Sequence, residues 1–430
     1  MASRRQLKCL VSLVCRGRRP FSMVPESSAS SFPVSEKLID MEKDHSAHKF
    51  SDVLACSYHP IPVVFSEAKG SSIWDPEGKR YLDFLSAYSA VNQGHCHPKI
   101  VKAFQEQAEK LTLSSRAFYN DKFPLFADYL TQFFGYDMVL PMNTGAEGVE
   151  TALKLARKWG YKKKRIPKDE AIIVSCCGCF HGRTLGVISM SCDNEATREF
   201  GPLLPGHLKV DFGDAVALEK IFIEHGDRIA GFLFEPIQGE AGILGKALGG
   251  GVIPVSAVLA DKEVMLCIQP GEHGSTFGGN PLASAVAIAS LEVIKDERLA
   301  ERSAKLGEEL RNQLIKIQEK FPQYIKNVRG RGLFNAVELK GKALSPVSAY
   351  DICMKLKERG VLAKPTHDTI IRLTPPLSIS LDELKEGSKA LNDVLEIDLP
   401  KLMKEKPHTA SSSDSNICDR CGRNLYASED

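Results

Sequence analysis

The chain has 430 residues, of which 43% are hydrophobic and 26% charged, with a formal net charge of +2. That length is enough for one large and one small domain around a substantial core. The near-neutral charge gives no reason to expect a nucleic-acid partner. No apolar run reaches the roughly 20 residues of a membrane span, and twelve scattered cysteines without a secretory signal read as reduced thiols of an intracellular compartment.

The N-terminus carries Arg4, Arg5, Lys8, Arg16, Arg18 and Arg19, and no acidic residue precedes Glu26. Short apolar pieces lie between the basic ones. This is the pattern of a mitochondrial or plastid transit peptide, with a disordered basic arm as the alternative. From Pro25 to about Ser51 the serine- and charge-rich composition reads as a linker. The folded body begins near Tyr58. Two alternating runs, around Ser72 and Tyr81, flank Asp75-Pro76-Glu77-Gly78 and predict a β-hairpin. In the loop that follows, His95, Cys96 and His97 have the chemistry of metal ligands. Alternate loop residues rarely converge without a second cluster, so structural packing is the preferred reading and no metal site is expected.

Asn143-Thr144-Gly145-Ala146-Glu147 opens a helix whose apolar face is Val149, Ala152, Leu153 and Ala156. Free N–H groups and the positive dipole end make such an opening a phosphate seat. Ala171–Val174 predicts a buried strand ending at a cysteine cluster, Cys176, Cys177 and Cys179, read as core packing. Just beyond it, Phe180 can stack on a ring and Arg183 can bind a carboxylate. A second buried strand, Ile229–Phe234, is closed by Glu235-Pro236-Ile237-Gln238-Gly239-Glu240. Polar groups past the carboxyl end of a strand are where open α/β sheets bind ligands.

Leu244-Gly245-Lys246-Ala247-Leu248-Gly249-Gly250-Gly251 follows almost at once. An ammonium among small and apolar residues is costly to keep charged, and a neutral amine is what attacks a carbonyl to form a Schiff base. The glycines allow the backbone to approach something bulky and flat. A surface lysine before a flexible turn is the alternative. The Gly-rich loop from Glu272 to Pro281 places Thr276 where a phosphate can be held, and Pro281 suits the first position of a helix through Val286, Leu291 and Val293. A long charged helix spans about Leu299 to Lys320. Beyond it, Arg329–Val337 reads as turn and strand. Arg372 sits alone in the apolar strand Ile370–Leu373, where a charge needs a partner: a substrate carboxylate or a protein glutamate, with an exposed sheet edge as the alternative. The polar tail ends in Cys418 and Cys421, half of a zinc-ribbon spacing.

These motifs, in this order, resemble the ornithine aminotransferases, pyridoxal-phosphate enzymes of the class III, fold type I group, over about residues 58–395. The resemblance implies an α/β fold with a large, mostly parallel-sheet domain and a smaller α+β domain. The implied organisation is transit peptide and linker (1–50), a segment contributing to the small domain (51–95), the large cofactor-binding domain (96–298), the small domain (299–400) and a polar tail (401–430). Carried over residue by residue, Lys246 resembles the Schiff-base lysine and proton shuttle, and Gly145 and Ala146 the phosphate seat. Phe180 resembles the ring-stacking aromatic, and Glu235 belongs to the cofactor-binding motif. Thr276 resembles a phosphate ligand reaching in from a second subunit, which implies a homodimer. Tyr58 and Arg183 resemble groups that position the substrate carboxylate. The segment from Tyr88 to His95 points to ornithine rather than 4-aminobutyrate or acetylornithine. Glu240 and Arg372 resemble a gate that closes for ornithine and opens for 2-oxoglutarate. The implied reaction moves the δ-amino group of L-ornithine to 2-oxoglutarate, giving glutamate and a self-cyclising glutamate 5-semialdehyde, in the mitochondrial matrix rather than a plastid. Another class III ω-aminotransferase is the alternative within the group.

The chain departs from this pattern at one place. Between Glu240 and Lys246 the family carries roughly fifty more residues, including a core strand and an aspartate on the cofactor's pyridine nitrogen. The residues alone raise the same objection. Glu235 closes one strand and Lys246 follows eleven positions later, whereas a crossover between parallel strands takes about a dozen residues or more. The expectation is an incomplete central sheet, broken at 243/244. The chain would then be a shortened form with impaired catalysis, with a working enzyme that has rebuilt the site, or a non-catalytic partner of an intact subunit, as the alternatives.

Overall fold

The computed structural model describes residues 33–45, 60–236, 248–366 and 369–405. The N-terminal basic segment, Tyr58, Glu240, Lys246 and the Cys418/Cys421 pair lie outside them. The stretch read as a linker contains a helix, α1 (Val34–His45). Its Glu, Lys, Leu and Met content favours helix despite the surrounding serines. The Ser35 N–H donates to the Glu77 carboxylate at 2.8 Å, tying α1 to the hairpin turn.

The expected hairpin is present. β1 (Glu67–Lys69), β2 (Ser72–Trp74) and β3 (Arg80–Asp83) form an antiparallel meander. Its turn closes through Gly78, at φ +82°, whose N–H donates to the Asp75 carbonyl at 2.9 Å. The chain then passes through α2 (Pro98–Ala108), α3 (Phe123–Phe134), β4 (Met138–Met142), α4 (Gly145–Trp159), β5 (Ile172–Cys176), β6 (His207–Val210), α5 (Ala215–His225), β7 (Ile229–Leu233) and β8 (Ser256–Ala260). Two helices follow at the expected places, α6 (Pro281–Asp296) and α7 (Leu299–Lys320). Asn280 caps α6 by accepting the Ala283 N–H at 2.8 Å, with Pro281 at its first position. The remainder is β9 (Ile325–Arg331), β10 (Phe334–Leu339), α8 (Ala349–Glu358), β11 (Val361–Leu362), β12 (Lys364–Thr366), β13 (Ile370–Leu373) and α9 (Leu381–Asp393). Arg329 to Arg331 therefore belong to a strand, and the turn read there falls on Gly332 and Leu333.

β3 pairs in parallel with β11, so the hairpin and the C-terminal part share one sheet. A second antiparallel sheet runs β12-β13-β10-β9. Leu82 and Phe84 enter one core with Leu310, Leu314, Ile352, Leu356, Leu384 and Leu391. Gly387 of α9 makes room for the Phe84 ring: a Cβ there would lie 2.1 Å from Phe84 Cζ.

The middle of the chain forms two separate sheets. β6-β5-β7 is parallel, and β4-β8 is an antiparallel pair. The helix α4 packs on both. Leu153, Val149 and Ala156 join Ile173, Ala230 and Leu233, while Leu155 and Trp159 join Met138, Leu140, Val258 and Ala260. Among the described residues β7 and β8 each have a single hydrogen-bonded neighbour strand. The helix α5 has no buried residue and exposes Val216 (64%) and Ile223 (77%). No described helix is long and apolar enough to cross a membrane.

Candidate active site

The site grows from the start of α4. Thr144 is its N-cap, and its side chain accepts the Glu147 N–H at 3.2 Å. Glu147 returns the bond, accepting from the Thr144 N–H at 2.7 Å and the Asn143 N–H at 3.0 Å. Burial works against the Glu147 carboxylate, but these donors outweigh it and hold its pKa below the ordinary value. A Cβ built on Gly145 meets nothing within 4 Å among the described residues, so there is open space beside the first turn.

The segment after β5 closes over the same turn. A Cβ on Gly182 would lie 2.9 Å from that of Ala146. Half-buried Phe180 is set by its own backbone, whose N–H donates to the Glu235 carboxylate at 3.0 Å. Glu235 is buried (6% exposed) just past β7. Its carboxylate thus links the ends of two neighbouring parallel strands. Arg183 lies over the Phe180 ring at 5.5 Å and pairs with Asp193 at 3.2 Å. Between Phe180 and Gly182, the His181 Nε2 is buried without a hydrogen-bond partner among the described residues. Burial lowers the pKa of this imidazole and favours its neutral form. From the other side, Asn143 Nδ2 donates to Ser275 Oγ at 2.8 Å, and His273 Nε2 lies 2.8 Å from Thr151 Oγ1. The loop of exposed Thr276 is thereby held beside the α4 N-terminus of its own chain.

A second group gathers on β13. Arg372 is 5% exposed in an interior strand, which removes the exposed-edge reading. Its Nη2 donates to Thr366 Oγ1 at 2.6 Å, and its guanidinium lies 5.6 Å from the Tyr88 ring centroid. Lys364 Nζ lies 5.9 Å from the same centroid. Tyr88 is presented by an unusual turn. Ser86, Ala87, Tyr88 and Ser89 all have positive φ, from 48° to 64°. Left-handed backbone costs a non-glycine residue roughly 1–2 kcal/mol, so the surroundings must impose it. The sequence contains no glycine there to signal the turn.

The triple glycine after Lys246 serves a different neighbour from the flat group expected. Gly250 (φ +57°) and Gly251 (φ +73°) have no space for a side chain, because a Cβ would lie 2.5 Å from Ser290 Oγ or 3.2 Å from the Val91 methyls. They let the loop touch α6 and the segment three residues past Tyr88. The two histidines weighed as metal ligands are each engaged with carboxylates: His95 Nε2 is 2.7 Å from Asp83 Oδ2, and His97 Nε2 is 2.8 Å from Glu297 Oε1. Among the described residues no cluster of three or more His, Cys, Asp or Glu is arranged to hold a metal ion. The expected site residues thus form two described groups, one at Gly145, Ala146, Phe180, Glu235, Arg183 and the Thr276 loop, the other at Tyr88 and Arg372. Asp83 and His181 were not anticipated, and no spacing or local pattern marks them; Asn143 stood in the motif that opens α4 but without a role of its own.

The family model for aminotransferase class-III matches residues 53–244 and 243–395. The chain belongs to the class-III aminotransferases. Among its relatives in this family is the mitochondrial ornithine aminotransferase of Arabidopsis thaliana, 66% identical and covering 95% of this chain and 96% of its own length. The rice protein of the same description is 63% identical, covering 97% and 98%. The Arabidopsis alignment runs over 462 positions, more than the 430 residues this chain has. Among solved structures, the ornithine aminotransferase of Toxoplasma gondii, described with partial occupancy of PLP at its active site, superposes with a TM-score of 0.80 at 36% identity, over 86% of this chain and 96% of its own. The acetylornithine aminotransferase of Elizabethkingia anophelis gives 0.75 at 44% identity, over 84% and 99%.

Proposed function

We propose that this class-III aminotransferase is an ornithine δ-aminotransferase that uses pyridoxal 5'-phosphate, with L-ornithine and 2-oxoglutarate as substrates. Kinship with relatives of that description over nearly the whole chain carries the reading. The residues present fit the cofactor at two points: the open first turn of α4, with Gly145 and Ala146, suits its phosphate, and Phe180 offers a ring face. Bound there, pyridoxal phosphate supplies an electron sink for the carbon that loses a proton.

The chain's own groups do the rest. Thr144 and Glu147 keep the first turn of α4 in register for an anion. Glu235 fixes Phe180 through its amide. Lys246 is the amine that would take the cofactor's aldehyde carbon and carry protons between the two reacting carbons. Arg372 suits a substrate carboxylate with a bidentate fork, and Glu240 is assigned as its alternative partner. Tyr58 and Arg183 are assigned to the other end of the substrate, and Thr276 to the phosphate of a second subunit in a homodimer. Segments 51–95 and 299–400 are assigned to one small domain, supported by the β3–β11 pairing and their shared core. The basic N-terminus, together with relatives described as mitochondrial, supports the mitochondrial matrix.

A second reading concerns this particular chain. We propose that it lacks an internal segment at 243/244 and turns over poorly. The two-piece family match and the alignment longer than the chain support it, as do β7 and β8, each with a single neighbour strand among the described residues. One experiment addresses both readings: the visible spectrum of the purified chain with pyridoxal phosphate, before and after L-ornithine. A protein-bound band that ornithine converts supports the ornithine aminotransferase and refutes the impaired form. A bound band that ornithine leaves unchanged, or free cofactor alone, supports the shortened form and refutes activity in this chain.

A further inference from the structure

The left-handed turn that carries Tyr88 is clamped by two side chains to which no role has yet been given. Asp83, at the end of β3, is 3% exposed. One of its oxygens accepts the N–H groups of Leu85 and Ser86, both at 2.8 Å. The other faces His95 Nε2 at 2.7 Å. His95 is itself fixed by its backbone, which exchanges hydrogen bonds with Gly70 at 2.8 and 3.0 Å. The turn is also tied to the strand that bears Arg372. Ser86 Oγ donates to the Thr374 carbonyl at 2.7 Å, Thr374 Oγ1 donates to the Leu85 carbonyl at 3.0 Å, and the Thr374 N–H donates to the Phe84 carbonyl at 2.7 Å. Thr374 stands two residues beyond Arg372. The clamp therefore fixes both members of the Tyr88–Arg372 pair against each other.

A buried carboxylate that collects two backbone amides and an imidazole is a strong, directional fastening. Four successive non-glycine residues at positive φ need such a fastening, since nothing in their own chemistry favours that backbone. The turn's geometry in turn sets where the Tyr88 ring lies beneath the guanidinium. We propose that Asp83 and His95 are positioning residues for carboxylate recognition: by imposing the left-handed turn they place Tyr88, and Tyr88 places Arg372. This rests on the reading of Arg372 as the carboxylate-binding group.

The test uses the full chain and glutarate, a dicarboxylate of 2-oxoglutarate's length without its reactive carbonyl, titrated calorimetrically. Pyridoxal phosphate is titrated separately as a control for the distant α4 seat. His95→Leu removes the donor to Asp83 and is expected to weaken glutarate binding by about tenfold, the scale of one lost hydrogen bond. His95→Gln keeps an N–H donor and is expected to restore most of that loss. Pyridoxal phosphate affinity is expected to stay within twofold in both variants, which a general loss of folding would not allow. Arg372→Lys separates the two levels of the argument. If Arg372→Lys weakens glutarate binding and His95→Leu does not, the positioning role is overturned while the carboxylate site stands. If Arg372→Lys has no effect, or the unaltered chain does not bind glutarate, the carboxylate site and the positioning role fall together. Asp83→Asn tests the same fastening from its other side, and equal weakening by it and His95→Leu is expected.

Discussion

Glu235 offers a direct measure of how the candidate site is held. Its buried carboxylate accepts the Phe180 amide at 3.0 Å. A hydrogen bond to a charged partner contributes about 1.5–3 kcal/mol, and a buried donor left without an acceptor costs about 1–3 kcal/mol. Glu235→Ala strips the amide of its acceptor, so a loss of about 2–3 kcal/mol is expected. Glu235→Gln retains an acceptor oxygen without the charge, and about 1 kcal/mol is expected. Urea titration reads both. The two tryptophans, Trp74 in β2 and Trp159 in α4, report the hairpin and the helix separately through mutants that keep one of them. The order wild type, glutamine, alanine must also appear in pyridoxal phosphate affinity, because the Phe180 ring loosens with its backbone. An alanine variant within 0.5 kcal/mol of wild type at an unchanged urea slope would refute the reasoning.

Three other perturbations follow from the same geometry. Gly387→Ala would gain helix propensity on an open surface; here its Cβ meets the Phe84 ring, so a loss of about 1–3 kcal/mol in thermal or urea unfolding is expected. Thr144→Ala removes the acceptor of the Glu147 amide and should cost about 1 kcal/mol, measured the same way. Burial lowers the pKa of His181 and of His273, the latter helped by Lys154, so the folded chain refuses protons that the unfolded chain takes up below about pH 6.5. Stability is therefore complete above that pH and falls as pH drops from there toward the folded-state values, by at most about 1.4 kcal/mol per pH unit for each histidine. His181→Phe should flatten part of that slope in melting temperatures taken from pH 7.5 to 5.5.

The sequence was legible where local signals act locally. Asn280-Pro281 and the regular apolar spacing behind it place α6, the charged run from Leu299 to Lys320 matches α7, and Asp-Pro-Glu-Gly gives the hairpin turn. Pairings across distance were not legible. The Phe180–Glu235 link spans 55 residues and the Asn143–Ser275 link 132. The left-handed turn at Ser86–Ser89 contains no glycine or asparagine to announce it, since its conformation comes from Asp83 and Thr374 rather than from its own residues. The helix α1 was hidden for the opposite reason: serine-rich flanks masked a short stretch of good helix formers. The glycines at 250 and 251 were rightly marked as a close approach, but the partner is protein, Val91 and Ser290.

The position of α4 has a mechanical consequence. This helix lies across two sheets that do not hydrogen-bond to each other among the described residues, with one row of side chains on each. It is a splint over a seam. Displacement of β5 reaches β8 through Leu153 and Leu155, neighbours on the helix but set into different cores. The exposed end of that splint is the open turn at Gly145. A dianion seated there would pin the splint at its tip, and both sheets would then lose freedom together, so amide hydrogens in β5 and β8 would slow their exchange with solvent in parallel, although no described strand joins them.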